Sequence, residues 1–421
     1  MNWSRSKQMY EVLSGLTPGG VSSPVRRFEP YPISMCRGEK CNIIDVDGNS
    51  YLDMCMAYGP LIIGHAHPDV TKVVVEQVRK GSVYGAPSIP ELELMNIIRN
   101  NVPCADTVRL TNSGTEATMH AIRLARGVTA RDKIVKIKGG FHGSHDSVLA
   151  VSDDHMEPSV PSSEGVPIST AANTYCVDYN DIWQMEEVLK NGDIAAVIME
   201  PIMGNMGVIS PEKGYLQNVR KLTKMYGSLL IFDEVITGFR VSDGGAQRTF
   251  SVTPDICTLG KIIGGGYPIG ALAGRREIMG HLAPEGEVYL AGTFAGNPIS
   301  ATAGKATIES AISGYSALSD KTDMLVSAMR DSMSDRNIEG SIVSENSMFQ
   351  IFFDIERPKN AAEAGKADAK MFDGLFKWML SHGIYIPPSR FEVNFLSTVH
   401  DRASLNFFAE LFDAYLGSLS K

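Results

Sequence analysis

The chain has 421 residues, 43% hydrophobic and 21% charged, with a formal net charge of −9 and a pI near 5.6. These proportions exclude a disordered chain, and the length calls for two or more domains around a large core. The acidic balance gives no electrostatic case for nucleic acid or an anionic membrane surface, and no apolar run is long enough to span a bilayer.

From the N-terminus, Trp3, Tyr10 and Leu13 fall near helical spacing and predict an amphipathic helix rather than a signal peptide. The stretch TPGGVSSPVRRF (17–28) reads as a proline-stiffened loop, and Arg26 and Arg27 at its end suit carboxylate capture or, equally, a solvated basic pair. Ile43 to Asp53 alternates around Asp47-Gly48 and predicts a hairpin. His65 and His67 stand two apart but lack a third metal ligand, so no metal is expected, and Pro68 opens a helix to Lys80. The six cysteines form no CxxC pair and are expected to be reduced, as in the cytoplasm.

Strand–helix alternation runs from about 105 to 300, the pattern of a mostly parallel, doubly wound α/β sheet. Strand 108–112 leads into Ser113-Gly114-Thr115-Glu116, where two readings compete for Ser113. One is a capping box with Glu116; the other is an anion site of backbone N–H groups and hydroxyls. Strand 133–137 exits into Gly139, Gly140, Phe141 and His142. Phe141 suits either ring stacking or core packing, and His142 with His145 lacks the context of a zinc hydrolase. Residues 151–173, rich in Ser, Pro and acid, predict a long irregular loop or lid.

A strand at 195–199 ends in Glu200-Pro201, with Asn205 beyond. The run Leu229–Phe232 ends in Asp233 and Glu234, and Ile256–Leu259 ends in Gly260 and Lys261. One acid and one lysine therefore stand at the mouths of two core strands. A lysine can form a Schiff base and a carboxylate can keep a pyridine nitrogen protonated, which together are a protein's share of pyridoxal phosphate chemistry. Thr293, in the glycine-punctuated loop 291–298, can reach a phosphate. Beyond about 315 the pattern becomes α+β: a helix 320–335, a strand 349–354, one long helix 361–382, a strand 384–386 and a last helix. The expected division is an N-terminal segment 1–60, a large domain 61–314 and a smaller domain 315–421.

NSGTEA (112–117), FHGSHD, DEVITGFR (233–240) and TLGKIIGGGYPIGA resemble the class-III, fold-type I pyridoxal phosphate-dependent aminotransferases along nearly the whole chain. The resemblance implies a seven-stranded-type sheet domain with a smaller α+β domain, and pyridoxal or pyridoxamine 5′-phosphate as cofactor. It makes Lys261 the Schiff-base lysine and proton shuttle, and Asp233 the partner of the pyridine nitrogen. Ser113, Gly114 and Thr115 become the phosphate cradle, completed by Thr293 across a homodimer interface. Phe141, where the family commonly has Tyr, takes the ring-stacking place, and His142 and Asn205 line the cofactor. PGGVSSPVR (18–26), GPLIIGHAHP (59–68), APEGEVYLAGTFAGNP (283–298) and PPSRFE (387–392) are similar to members that move an amine within one small-molecule substrate. On that likeness Ser23 and Arg26 hold the substrate carboxylate and Glu392 disfavours a second one. Conventional ω-aminotransferases and amino-acid epimerases share the cofactor set.

Overall fold

The computed structural model describes residues 1–419. A first helix, Ser4–Leu16, precedes strands β1 (Met35–Glu39), β2 (Asn42–Asp45) and β3 (Ser50–Asp53). The large domain then supplies β4 (Thr107–Thr111), β5 (Lys133–Ile137), a short ribbon of β6 (Ala150–Val151) and β7 (Val160–Pro161), and β8 (Thr174–Val177). It continues with β9 (Ile194–Met199), β10 (Leu229–Asp233), β11 (Ile256–Leu259) and β12 (Gly270–Gly274). The C-terminal part adds β13 (Gly340–Glu345), β14 (Met348–Phe353), β15 (Ile384–Tyr385) and β16 (Asn394–Phe395).

The central sheet has seven strands in the order β4-β12-β11-β10-β9-β5-β8. All its pairings are parallel except those of β12, which runs antiparallel to β11 and β4. Every residue of β9, β11 and β12 is buried, as expected for strands covered on both faces. Because β10 and β11 are parallel neighbours, with Asp233 opposite Thr258, both deliver their following residues to one edge of the sheet. This is where open α/β sheets place ligands.

The helix Gly114–Thr129 packs against β9, β11 and β12 of the sheet. Pro298–Ile312 is capped by Asn297, whose side chain accepts from Ile299 and Ser300 N–H, and lies against the turn at Lys261–Gly264. A Cβ at Gly304 would come within 1.8 Å of the Ile263 carbonyl, so only glycine permits that approach. The unpredicted helix Ile89–Asn101 starts with a full Ser88–Glu91 capping box.

Two expectations are corrected. The segment 151–173 is not without structure, because β6 pairs with β7 and a helical turn spans Ile168–Ala171. The long helix 361–382 is two, Ala361–Ala364 and Ala369–Ser381. Asp368 breaks it by accepting from Lys370 and Met371 N–H as an N-cap. In addition β15 pairs in parallel with β3, so the first and last parts of the chain share one four-stranded sheet.

Candidate active site

At the exit of β10, the buried Asp233 carboxylate has three partners. His142 Nδ1 lies 2.7 Å from Oδ2, while Thr258 Oγ1 and Val235 N–H each donate to Oδ1 at 3.1 Å. His142 is buried and its Nε2 has no partner. Two residues beyond β11, Lys261 takes a left-handed backbone at φ 47°. Burial pushes its amine down from the ordinary lysine range, against the opposing pull of Glu392, Glu200 and Asp233, with Arg240 adding to the depression.

Glu200 joins two loops at the site. Its carboxylate accepts from Phe141 N–H at 3.1 Å, Gly204 N–H at 2.8 Å and Asn205 Nδ2 at 3.0 Å. The Phe141 ring is 53% exposed, an apolar face open to a planar partner. Burial raises Glu200 and also Glu392, which is half-buried and feels the Lys261 charge in the opposite direction.

At the start of the helix Gly114–Thr129, Ser113 Oγ accepts from Glu116 N–H at 3.1 Å. The Glu116 carboxylate instead accepts from Asn112 N–H at 2.8 Å, so the capping box is only half formed. A hydroxyl that accepts this bond keeps its own hydrogen to give, and of the first turn the Gly114 and Thr115 N–H groups are left for an anion. A Cβ on Gly114 would stand 3.0 Å from Val235. The cap and the anion site are therefore compatible.

Ser23 precedes the turn Pro24–Arg26, and the Arg26 side chain is exposed. It lines a cavity of about 660 Å³ that includes Ser22, Cys55, Tyr58, His65 and Tyr385. His65, weighed as a metal ligand, instead pairs with Asp53 at 2.7 Å. Among the described residues no group of three or more His, Cys, Asp or Glu is placed to hold a metal ion. Thr293 is exposed on its loop between Tyr289 and Phe294, which are 70% and 60% exposed.

Three residues were not singled out as site residues from sequence: Thr258, Glu200 and Arg240. Thr258 sits inside an apolar strand where one hydroxyl gives no periodic signal. The signal for Glu200 was its place at a strand exit, the same that marks Asp233. Arg240 closes the DEVITGFR motif, yet it is fully buried without a carboxylate partner and donates to Ser347 Oγ and the carbonyls of Leu396 and Gly59.

This donor set fits a phosphorylated pyridine aldehyde. It offers a braced carboxylate for a ring nitrogen, an amine whose charge burial disfavours, an orphaned imidazole nitrogen and an N–H-rich helix start. The fold and this arrangement define a pyridoxal phosphate-type transferase site. The chain belongs to the class-III aminotransferases, whose family pattern matches residues 25–393. It is 48% identical over 419 residues to the glutamate-1-semialdehyde 2,1-aminomutase of Methanothermobacter thermautotrophicus, covering 99% of each chain. It is 47% identical to the enzyme of that name from Methanothrix thermoacetophila, covering 99% of this chain and 97% of that one. An ω-transaminase from Sphaerobacter thermophilus superposes with a TM-score of 0.93 at 31% identity, covering 99% of this chain and 98% of that one.

Proposed function

We propose that the chain converts glutamate 1-semialdehyde to 5-aminolevulinate, a tetrapyrrole precursor, by moving the amine between adjacent carbons of one molecule. The observation that carries this choice of substrate is that an exposed cation, Arg26, and an acid, Glu392, both act on Tyr58, with Glu392 acting on Lys261 as well. Such a site accepts one carboxylate and repels a second, which suits a substrate with a single carboxylate at one end.

Pyridoxal 5′-phosphate, or its pyridoxamine form, supplies when bound the group that carries the amine and the ring that takes up electrons. Asp233, aligned by His142 and Thr258, holds the proton on the pyridine nitrogen. Ser113, Gly114 and Thr115 bind the phosphate through N–H and hydroxyl groups. Phe141 covers one ring face, with His142 and Asn205 at the edge. Lys261 Nζ, whose charged form burial disfavours, takes and returns protons at two neighbouring substrate carbons, and its flexible stem lets one base serve both. Arg26 and Ser23 orient the carboxylate so that both carbons stay within reach.

The enzyme acts as a homodimer in this reading. Thr293, flanked by the exposed Tyr289 and Phe294, belongs to the phosphate cradle of a second copy, and the exposed Ile89 and Leu92 extend the same apolar character. The six free cysteines suit the cytoplasm, and no described helix is long and apolar enough to cross a membrane. The test is to supply the semialdehyde to cofactor-loaded protein with no amino donor. Formation of 5-aminolevulinate is expected. A requirement for an external keto acid or amine would instead mark a conventional aminotransferase.

A further inference from the structure

Met56, Ala57 and Tyr58 have φ values of 45°, 55° and 63°, followed by Gly59 at 114°. Successive non-glycine residues in the left-handed region do not persist unless surrounding contacts impose them. Those contacts lie at both ends of the turn. At its start, Asp53 Oδ1 accepts from Cys55 and Met56 N–H, each at 2.9 Å, and Asp53 Oδ2 is braced by His65. At its end, the Gly59 carbonyl accepts from the Arg240 guanidinium, which also holds Leu396 O at 3.0 Å and Ser347 Oγ at 3.2 Å and lies 5.0 Å over the Phe395 ring.

The turn touches the site in two places. Tyr58 donates its hydroxyl to the Val25 carbonyl at 2.9 Å, beside Arg26. Gly59 faces the Phe395 ring and the lysine stem: a Cβ there would sit tightly at 3.3 Å from Phe395 and in ordinary contact, 3.5 Å, with Lys261 Cδ.

We propose that Arg240 is a positioning residue for both ends of the active site, holding through the Gly59 carbonyl a strained turn that sets the Arg26 loop by way of Tyr58 and the Lys261 stem by way of Gly59. Burial without an acid pushes its guanidinium down to about 9, yet its two terminal nitrogens donate to three acceptors in separate parts of the chain, while Nε has no partner. Lysine in its place keeps the charge but cannot span all three. The role of Arg26 in this account rests on the proposed function; the link from Arg240 to Lys261 does not.

The test compares Arg240→Lys, Tyr58→Phe and the double variant, each loaded with cofactor. Tyr58→Phe is expected to raise KM for the semialdehyde by up to roughly tenfold, more than it lowers kcat, the scale of one lost hydrogen bond. Arg240→Lys is expected to raise KM similarly, with the double variant well short of the product of the two. It should also speed amide hydrogen exchange at residues 56–59 and change the visible circular dichroism of the lysine-bound cofactor. The last two readouts need no substrate, so they judge Arg240 even if the wild-type protein leaves the semialdehyde untouched. Arg240→Lys that lowers the melting temperature but leaves exchange at 56–59, circular dichroism and KM at wild-type values would reduce Arg240 to a structural residue. Should Arg240→Lys not fold, Tyr58→Phe with exchange at 56–59 and KM both unchanged overturns the proposal equally.

Discussion

Asp233 is aligned by three partners, and in the proposed mechanism its catalytic value resides in that preorganisation. Asp233→Ala is expected to lower kcat by about a hundred- to a thousandfold, the scale of losing one fixed electrostatic partner, as single-turnover rates will show. Two histidines, His145 half-buried and His400 buried, predict the response to acid. His145 is held down to about 4 by burial and by the charges of His142, Arg126 and Lys136, and His400 to about 4 chiefly by burial. Both are neutral in the fold, whereas the unfolded chain takes up a proton below pH 6.5. The folded pKa lies below the unfolded one, so stability is lost as pH falls from 6.5 towards 4, by up to about 3 kcal/mol for each group. The melting temperature should fall steeply in that window; a flat profile would contradict it. At this scale Asp233 and Lys261 stand out in the sequence as candidates because each lies at or just past the end of a short, mostly apolar strand. Tyr58 and Arg240 do not, since Met-Ala-Tyr carries no compositional mark of left-handed backbone and a buried arginine reads like a solvated one.

The elements most legible were the central strands, whose burial on both faces leaves apolar runs with sharp ends; Lys133–Ile137 was read to the residue. Errors fell where a polar residue interrupts a pattern for local reasons. Asp368 caps a new helix where the apolar period alone continues, and the ribbon β6–β7 is too short to register as alternation. The mostly exposed β1 carries no apolar pattern, and the start of the helix Ile89–Asn101 is marked only by Ser88 and Glu91. Packing between elements predicts a sharper effect than propensity does. Gly304→Ala drives a methyl group into the Ile263 carbonyl and must push the helix Pro298–Ile312 off the Lys261 turn. Weak cofactor retention on gel filtration, with far-ultraviolet circular dichroism close to wild type, is the expected result.

At the scale of the whole molecule, the proposed homodimer rests on exposed apolar residues such as Ile89 and Leu92. Leu92→Glu with Ile89→Glu should shift sedimentation towards a monomer and weaken cofactor binding in parallel, because the proposed phosphate site then lacks the second copy's Thr293. Monomers that bind the cofactor at wild-type strength would argue that each chain completes its own cradle. The pairing of β3 with β15 bears on how the protein comes to exist at all. Leu52 and Asp53 meet their neighbours Ile384 and Tyr385 only after some 330 further residues have been synthesised. On the ribosome, the hairpin that leads into the Tyr58 turn therefore waits with an open edge while the central sheet emerges. Synthesis must run nearly to completion before that edge is closed, so a truncated translation product ending before β15 is a natural client for chaperones.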